Sequence, residues 1–189
     1  LLSDENLARL ARIYNILGLY NDILVNGILL PEDRYGKYAV SRGDDETRLI
    51  TLRNMSWQPL QVSVKLDTSV GLQSKGDVEV IQYHPFEKFL GTFKSNSEVK
   101  VTVLPFRTSL IKFSTRQNPE FVLKGSAYQV IKNIPNQPVI VNLLGSAGEE
   151  VSISFSDPLK KYKKAILDSK DVSTILSGNK VTYIFPGQK

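Results

Sequence analysis

Any chemistry in this chain has few residues to be built from, and His84 comes first because it is the only histidine. A Ser-His-Asp relay or an imidazole-based metal site would need His84 at its centre. It directly precedes Pro85 at the end of an alternating run, and no partner at triad or ligand spacing accompanies it. The expectation is a partly exposed turn histidine. Asp44, Asp45 and Glu46 stand side by side, and paired carboxylates can cleave glycosidic bonds. That reaction needs two separated carboxyl groups converging on a cleft, whereas three in succession in a turn are expected to be solvated. With no cysteine there is no thiolate nucleophile, no thiolate metal site and no disulfide framework. Gly125, Gly145 and Gly148 lie among strand-like segments without the lysine-serine ending of a phosphate loop. The sequence therefore assigns no catalytic residue, no cofactor and no metal.

Binding is the other possibility. Trp57 is the only tryptophan. An aromatic face can stack on the apolar face of a sugar, and Tyr83, with Tyr38, is the companion for such a platform. The competing expectation for a lone tryptophan in a β-sandwich is core or corner filler. Trp57 and Tyr83 are the candidate carbohydrate-binding residues. Asn54-Met55-Ser56 fits the N-glycosylation pattern, a match too short and frequent to carry weight.

These residues need elements to position them, and the stretch from Thr47 to Leu66 shows which. Leu60, Val62, Val64 and Leu66 alternate with Gln61, Ser63 and Lys65, the period-2 pattern of a strand with one dry face. Ile50 and Leu52 supply apolar positions on a preceding strand, and Asn54, Trp57 and Pro59 mark a corner between the two. Further strands are expected at Val78 to Tyr83, at Val99, Val101 and Val103, and at Ser109 to Phe113. Short strands separated by turn signals predict an antiparallel sandwich.

Ser3 to about Val25 reads as helix. Ser3 is a cap, Asp4 and Glu5 suit the first turn, and Leu7, Leu10, Ala11, Tyr14 and Leu17 form an apolar stripe. Gly18 weakens the helix and is a point where it could break, and Gly27 followed by Pro31 supplies a stop signal beyond Asn26. Such a stripe must dock on the first sandwich or on a preceding domain.

Thr115 to Glu120, TRQNPE, is polar and proline-containing and reads as a linker. After it come strand-like runs at Phe121 to Leu123, Tyr128 to Ile131, Val139 to Leu143, Val151 to Phe155 and Val181 to Phe185. Gly145 to Glu149 is expected to close a hairpin, and Asp168 to Asp171 to turn. The predicted class is mostly β: an N-terminal helical segment (1–30), an antiparallel β-sandwich domain (31–116) and a second, smaller β-sandwich-like domain (117–189).

The formal charge of +5 invites a nucleic-acid reading, but the basic residues are scattered. The densest run, Lys160, Lys161, Lys163 and Lys164 beside Tyr162, has no arginine and reads as a solvated edge, so no nucleic-acid partner is expected. No stretch is long and apolar enough for a membrane span. The chain starts Leu1-Leu2-Ser3 without an initiator methionine, which reads as an excised or processed piece.

Several runs together carry a resemblance. A helix is followed by Asp22-Ile23-Leu24-Val25-Asn26-Gly27, then Tyr38-Ala39-Val40-Ser41-Arg42-Gly43-Asp44, then Leu49-Ile50-Thr51-Leu52-Arg53-Asn54. This order resembles the exit from a catalytic barrel into the C-terminal β-sandwich of large bacterial glycoside hydrolases, the α-galactosidase-like ones in particular. Tyr83-His84-Pro85 and Val103-Leu104-Pro105-Phe106-Arg107 are similar to that sandwich as well. The likeness covers about the first 115 residues, a domain-sized segment. It implies a parent enzyme acting on glycosides through two acids on a (β/α)8 barrel, and export to the periplasm, cell surface or medium. A barrel needs about 250 residues, so the expected partner is an N-terminal catalytic barrel outside this chain. This chain itself is then a non-catalytic accessory region, with a free-standing carbohydrate- or protein-binding module as the alternative.

Overall fold

The computed structural model describes residues 3–73 and 75–187. Strand makes up 43% and helix 15%, every pairing among the described residues is antiparallel, and the long helix is N-terminal, so the fold is mostly β. Two compact units divide the chain. One is Asn15–Arg116; the other combines the described residues of Leu1–Tyr14 and Gln117–Lys189.

The helix α1 (Asp4–Tyr20) contributes residues to both units. The Asn15–Arg116 unit then holds β1 (Gly27–Leu29), the single helical turn α2 (Glu32–Tyr35), β2 (Val40–Gly43), β3 (Thr47–Arg53), β4 (Leu60–Lys65), β5 (Asp77–His84), β6 (Lys88–Lys94), β7 (Glu98–Val103) and β8 (Thr108–Ser114). Six of these strands form one sheet in the order β1-β2-β3-β8-β5-β6, and β4 pairs with β7 in a second layer. Alternation dictates which side faces in. Ile50, Leu52, Val78, Val80, Ile111 and Phe113 of the large sheet meet Val62, Val64, Val99, Val101 and Val103 of the small one, and none is more than 3% exposed. In the small sheet the valines are directly opposed, Val62 on Val101 and Val64 on Val99. Each such burial is worth about 1.5–3 kcal/mol.

The corner between β3 and β4 carries the chain from one layer to the other. Asn54 holds it. Its Nδ2 donates to the carbonyls of Gln58 (2.7 Å) and Val103 (2.9 Å), and its Oδ1 accepts from the Ser56 amide (2.9 Å) and hydroxyl (2.8 Å). With its amide buried and both ends engaged, Asn54 does not present a glycan acceptor.

Three expectations need correcting. α1 runs through Gly18 and stops at Tyr20, and residues 27–29 of the expected helical segment are an edge strand paired with β2. The Leu7–Leu17 stripe is left exposed, one of the two outcomes expected for it, and the buried face of α1 is Arg12, Ile16 and Tyr20, one residue per turn. Ser3 does cap, its Oγ accepting from the Asn6 amide at 3.3 Å.

The third correction lies in the other unit, which contains β9 (Val122–Lys124), β10 (Ala127–Lys132), β11 (Ile140–Leu144), β12 (Glu150–Ser156), β13 (Ile166–Leu167), β14 (Lys170–Asp171) and β15 (Val181–Ile184). Gly145 to Glu149 does not close a hairpin: β11 pairs with β10, while β12 lies between β15 and β9. The loop is bound to the end of β15 instead. Gly148 donates to the Phe185 carbonyl and Phe185 to the Glu149 carbonyl, both at 2.9 Å, and a side chain at Gly145 would collide with the Phe185 ring. A two-residue turn at Asp168 and Ser169, both at positive φ, joins β13 to β14. Within the same unit Arg12 grips Glu120 through two hydrogen bonds of 2.8 and 2.9 Å.

Candidate functional site

The acidic turn between β2 and β3 is a folding device. Asp44 Oδ1 accepts from the amides of Glu46 (3.0 Å) and Thr47 (2.8 Å), and its other oxygen pairs with Arg116 at 2.8 Å. Arg116 Nε also donates to Glu46 Oε2 at 2.6 Å, and Asp45 accepts from Gln73 Nε2 at 2.7 Å. Partial burial pushes the Asp44 carboxyl up, but the two amides and the Arg116 guanidinium outweigh it and hold the pKa below the usual carboxylate value. A general acid needs the opposite shift. Asn26, Gly43, Arg48 and Arg116 complete an open depression around this turn, whose carboxylates face cations rather than one another.

His84 is exposed at the end of β5, ahead of the cis Pro85. Among the described residues no three of His, Cys, Asp and Glu gather where they could hold a metal ion.

Trp57 is 83% exposed and meets Phe106 edge to face, with ring centroids 4.7 Å apart. Phe106 is itself 53% exposed, and Met55 and Leu104 beside the pair are exposed too. The two corners that carry these rings are sewn together by Asn54, whose amide donates to the Arg107 carbonyl at 2.9 Å. Phe106 was missed as a partner of Trp57, although a signal existed. Once Leu60 is opposite Val103, the residues just before β4 and just after β7 must meet at the same end of the ladder.

Tyr83 is elsewhere. It is buried on the outer face of the six-stranded sheet, its hydroxyl 3.2 Å from that of Tyr20, with Lys112 Nζ above its ring at 6.0 Å. Such a ring has no free face to offer a sugar, so Trp57 and Tyr83 do not form a common platform. Tyr38 is exposed, with positive φ.

The remaining feature is the outer side of α1. Leu7, Leu10, Ile13, Tyr14 and Leu17 are between 41% and 66% exposed, at the three- and four-residue spacing of one helical face. No helix among the described residues is long and apolar enough to cross a membrane. No known protein family and no curated protein matches the chain.

Proposed function

We propose that this chain is a non-catalytic accessory β-sandwich region of a carbohydrate-degrading enzyme, and that it works by docking on a catalytic barrel domain through the apolar side of α1. The observation that carries the reading is the exposed run Leu7, Leu10, Ile13, Tyr14 and Leu17 on a helix whose opposite side is already buried. A contiguous apolar strip of that kind on a helix favours a protein partner. Glycoside chemistry enters through the resemblance of the β2, β3 and β5 runs to the sandwich that follows the barrel in bacterial glycoside hydrolases, which also implies export. The carboxylates add support of their own. Asp44 and Asp67 each accept charge-assisted hydrogen bonds from Arg116 and Lys65, and their lowered pKa values leave these two poorly suited to proton transfer.

The test is turnover of nitrophenyl glycosides by the purified chain. No hydrolysis above the buffer rate is expected, and reproducible turnover would overturn the non-catalytic reading. A second reading, a free-standing carbohydrate-binding module, is favoured by the exposed Trp57–Phe106 pair. Retention on polysaccharide affinity gels would support it.

A further inference from the structure

The two β units bury their apolar faces unequally, and the difference marks a site. In the Asn15–Arg116 unit seventeen core side chains are at most 3% exposed, with only Leu60, Leu90 and Phe93 partly buried against them, whereas the other unit's cluster has four buried side chains. In the other unit Val139, Val141, Leu143 and Phe155, which also point at a hydrophobic cluster, are only half-buried. They border a cleft of about 460 Å³ between the β10–β11 hairpin and the β9–β12 sheet, with β13 and the turn Ser173–Ser177 along its side. That volume falls within the range of about 300–1,000 Å³ typical of small-molecule sites. Its aromatic end is ordered: Phe121 and Phe155 are stacked at 5.5 Å and Tyr162 stands edge-on to both.

Polar groups are few, the Tyr162 phenol and the Lys164 ammonium, and Lys164 is the one charged residue along the lining. Lys164 lines the cleft and is exposed at its rim, where its ion pair with Asp171 is a loose 4.0 Å. Lys160, Lys161 and Lys163 are exposed on the same stretch, while Asp157 is engaged with the Tyr162 amide at 2.9 Å. A sugar would need several convergent hydrogen-bonding groups, and this lining does not provide them. An apolar body with one negative end matches it. We propose that the cleft binds a medium-chain aliphatic carboxylate of about ten carbons, its hydrocarbon chain against Val141, Leu143 and Phe155 and its head group held at the rim by Lys164. Burial, with Asp157 and Glu120 and against Arg12, raises the pKa of the Tyr162 phenol, which is neutral at physiological pH.

Calorimetric titration of the full chain with decanoate, 1-decanol and decyltrimethylammonium, each below its micellar concentration, tests this. Saturable binding of decanoate is expected, with the alcohol weaker and the cation weakest. Val141→Trp, which fills the cleft, should weaken decanoate and decanol by more than about tenfold. Lys164→Gln, at an exposed position that leaves folding untouched, should weaken decanoate about threefold and leave decanol unchanged. No saturable decanoate binding up to about 1 mM would overturn the proposal. So would unchanged binding in a folded Val141→Trp, or a preference for the carboxylate that survives Lys164→Gln.

Discussion

Lys112 Nζ donates to the Tyr20 hydroxyl at 3.3 Å, inside the protein, on the outer face of the six-stranded sheet. Lys112 is 1% exposed, and its neighbours across the sheet are Leu49 and Ile81. A buried ammonium needs acceptors, and Tyr20 supplies both an oxygen and a ring face, with Nζ 5.7 Å from its centroid. The last turn of α1 is thereby fastened to the sheet. Tyr20→Phe keeps the ring and removes this one acceptor, so it should destabilise the protein by about 1 kcal/mol. The urea midpoint measures this; an unchanged midpoint would show that the oxygen contributes nothing.

Arg12 and Glu120 form the corresponding anchor for the first part of α1, with side chains only 9% and 11% exposed. Removing the Glu120 charge takes this two-pronged carboxylate away from the buried Arg12, which costs about 3 kcal/mol. Glu120→Gln should therefore lower the melting temperature clearly. A double variant, Arg12→Met with Glu120→Leu, should recover most of the loss, and failure to recover would point to a role beyond packing.

Asp67 shapes the acid limb of the stability curve. Partial burial alone would raise its pKa, but the Lys65 ammonium at 2.8 Å, together with the Ser69 hydroxyl and amide, holds it at about 2 against an ordinary 3.8. A lowered folded-state pKa stabilises the protein above the unfolded value, and that contribution is lost as pH falls from about 4 towards 2. Solvent screening at this surface reduces it to about 1 kcal/mol. Asp67→Asn keeps an acceptor for Ser69, so its stability should fall less steeply than wild type over that window in acid titrations followed by circular dichroism. Parallel curves would refute the assignment.

The aromatic corner separates binding from folding. Trp57 is mostly in solvent, so Trp57→Ala should change stability by less than about 1 kcal/mol. If the corner binds polysaccharide, the same change abolishes retention in an affinity gel. Retention equal to wild type would remove Trp57 from any binding role.

How much of this was legible depends on where each partner lies in the sequence. The β4 and β7 valines announce their layer by local alternation, and their burial follows. The buried side of α1 was not legible, because apolar spacing points to Leu7, Leu10 and Tyr14, whereas Arg12 is buried by a glutamate 108 residues away. The loop at Gly145 to Glu149 has hairpin chemistry, yet its backbone bonds go to Phe185, which no local pattern reveals. Tyr83 read as a possible surface ring because nothing near it in sequence announces Tyr20 and Lys112. The cleft at Val141 and Phe155 was invisible for a related reason: alternation says which residues face inward, not whether the opposite layer reaches them.

The docking role proposed for α1 is most directly tested by hydroxyl-radical footprinting of Tyr14, comparing the protein isolated from its native source with the 189-residue chain alone. Tyr14 should be oxidised readily in the isolated chain and protected in the native protein, with Trp57 as the internal reference for an exposed ring. Equal oxidation of Tyr14 in both would contradict a partner on that face.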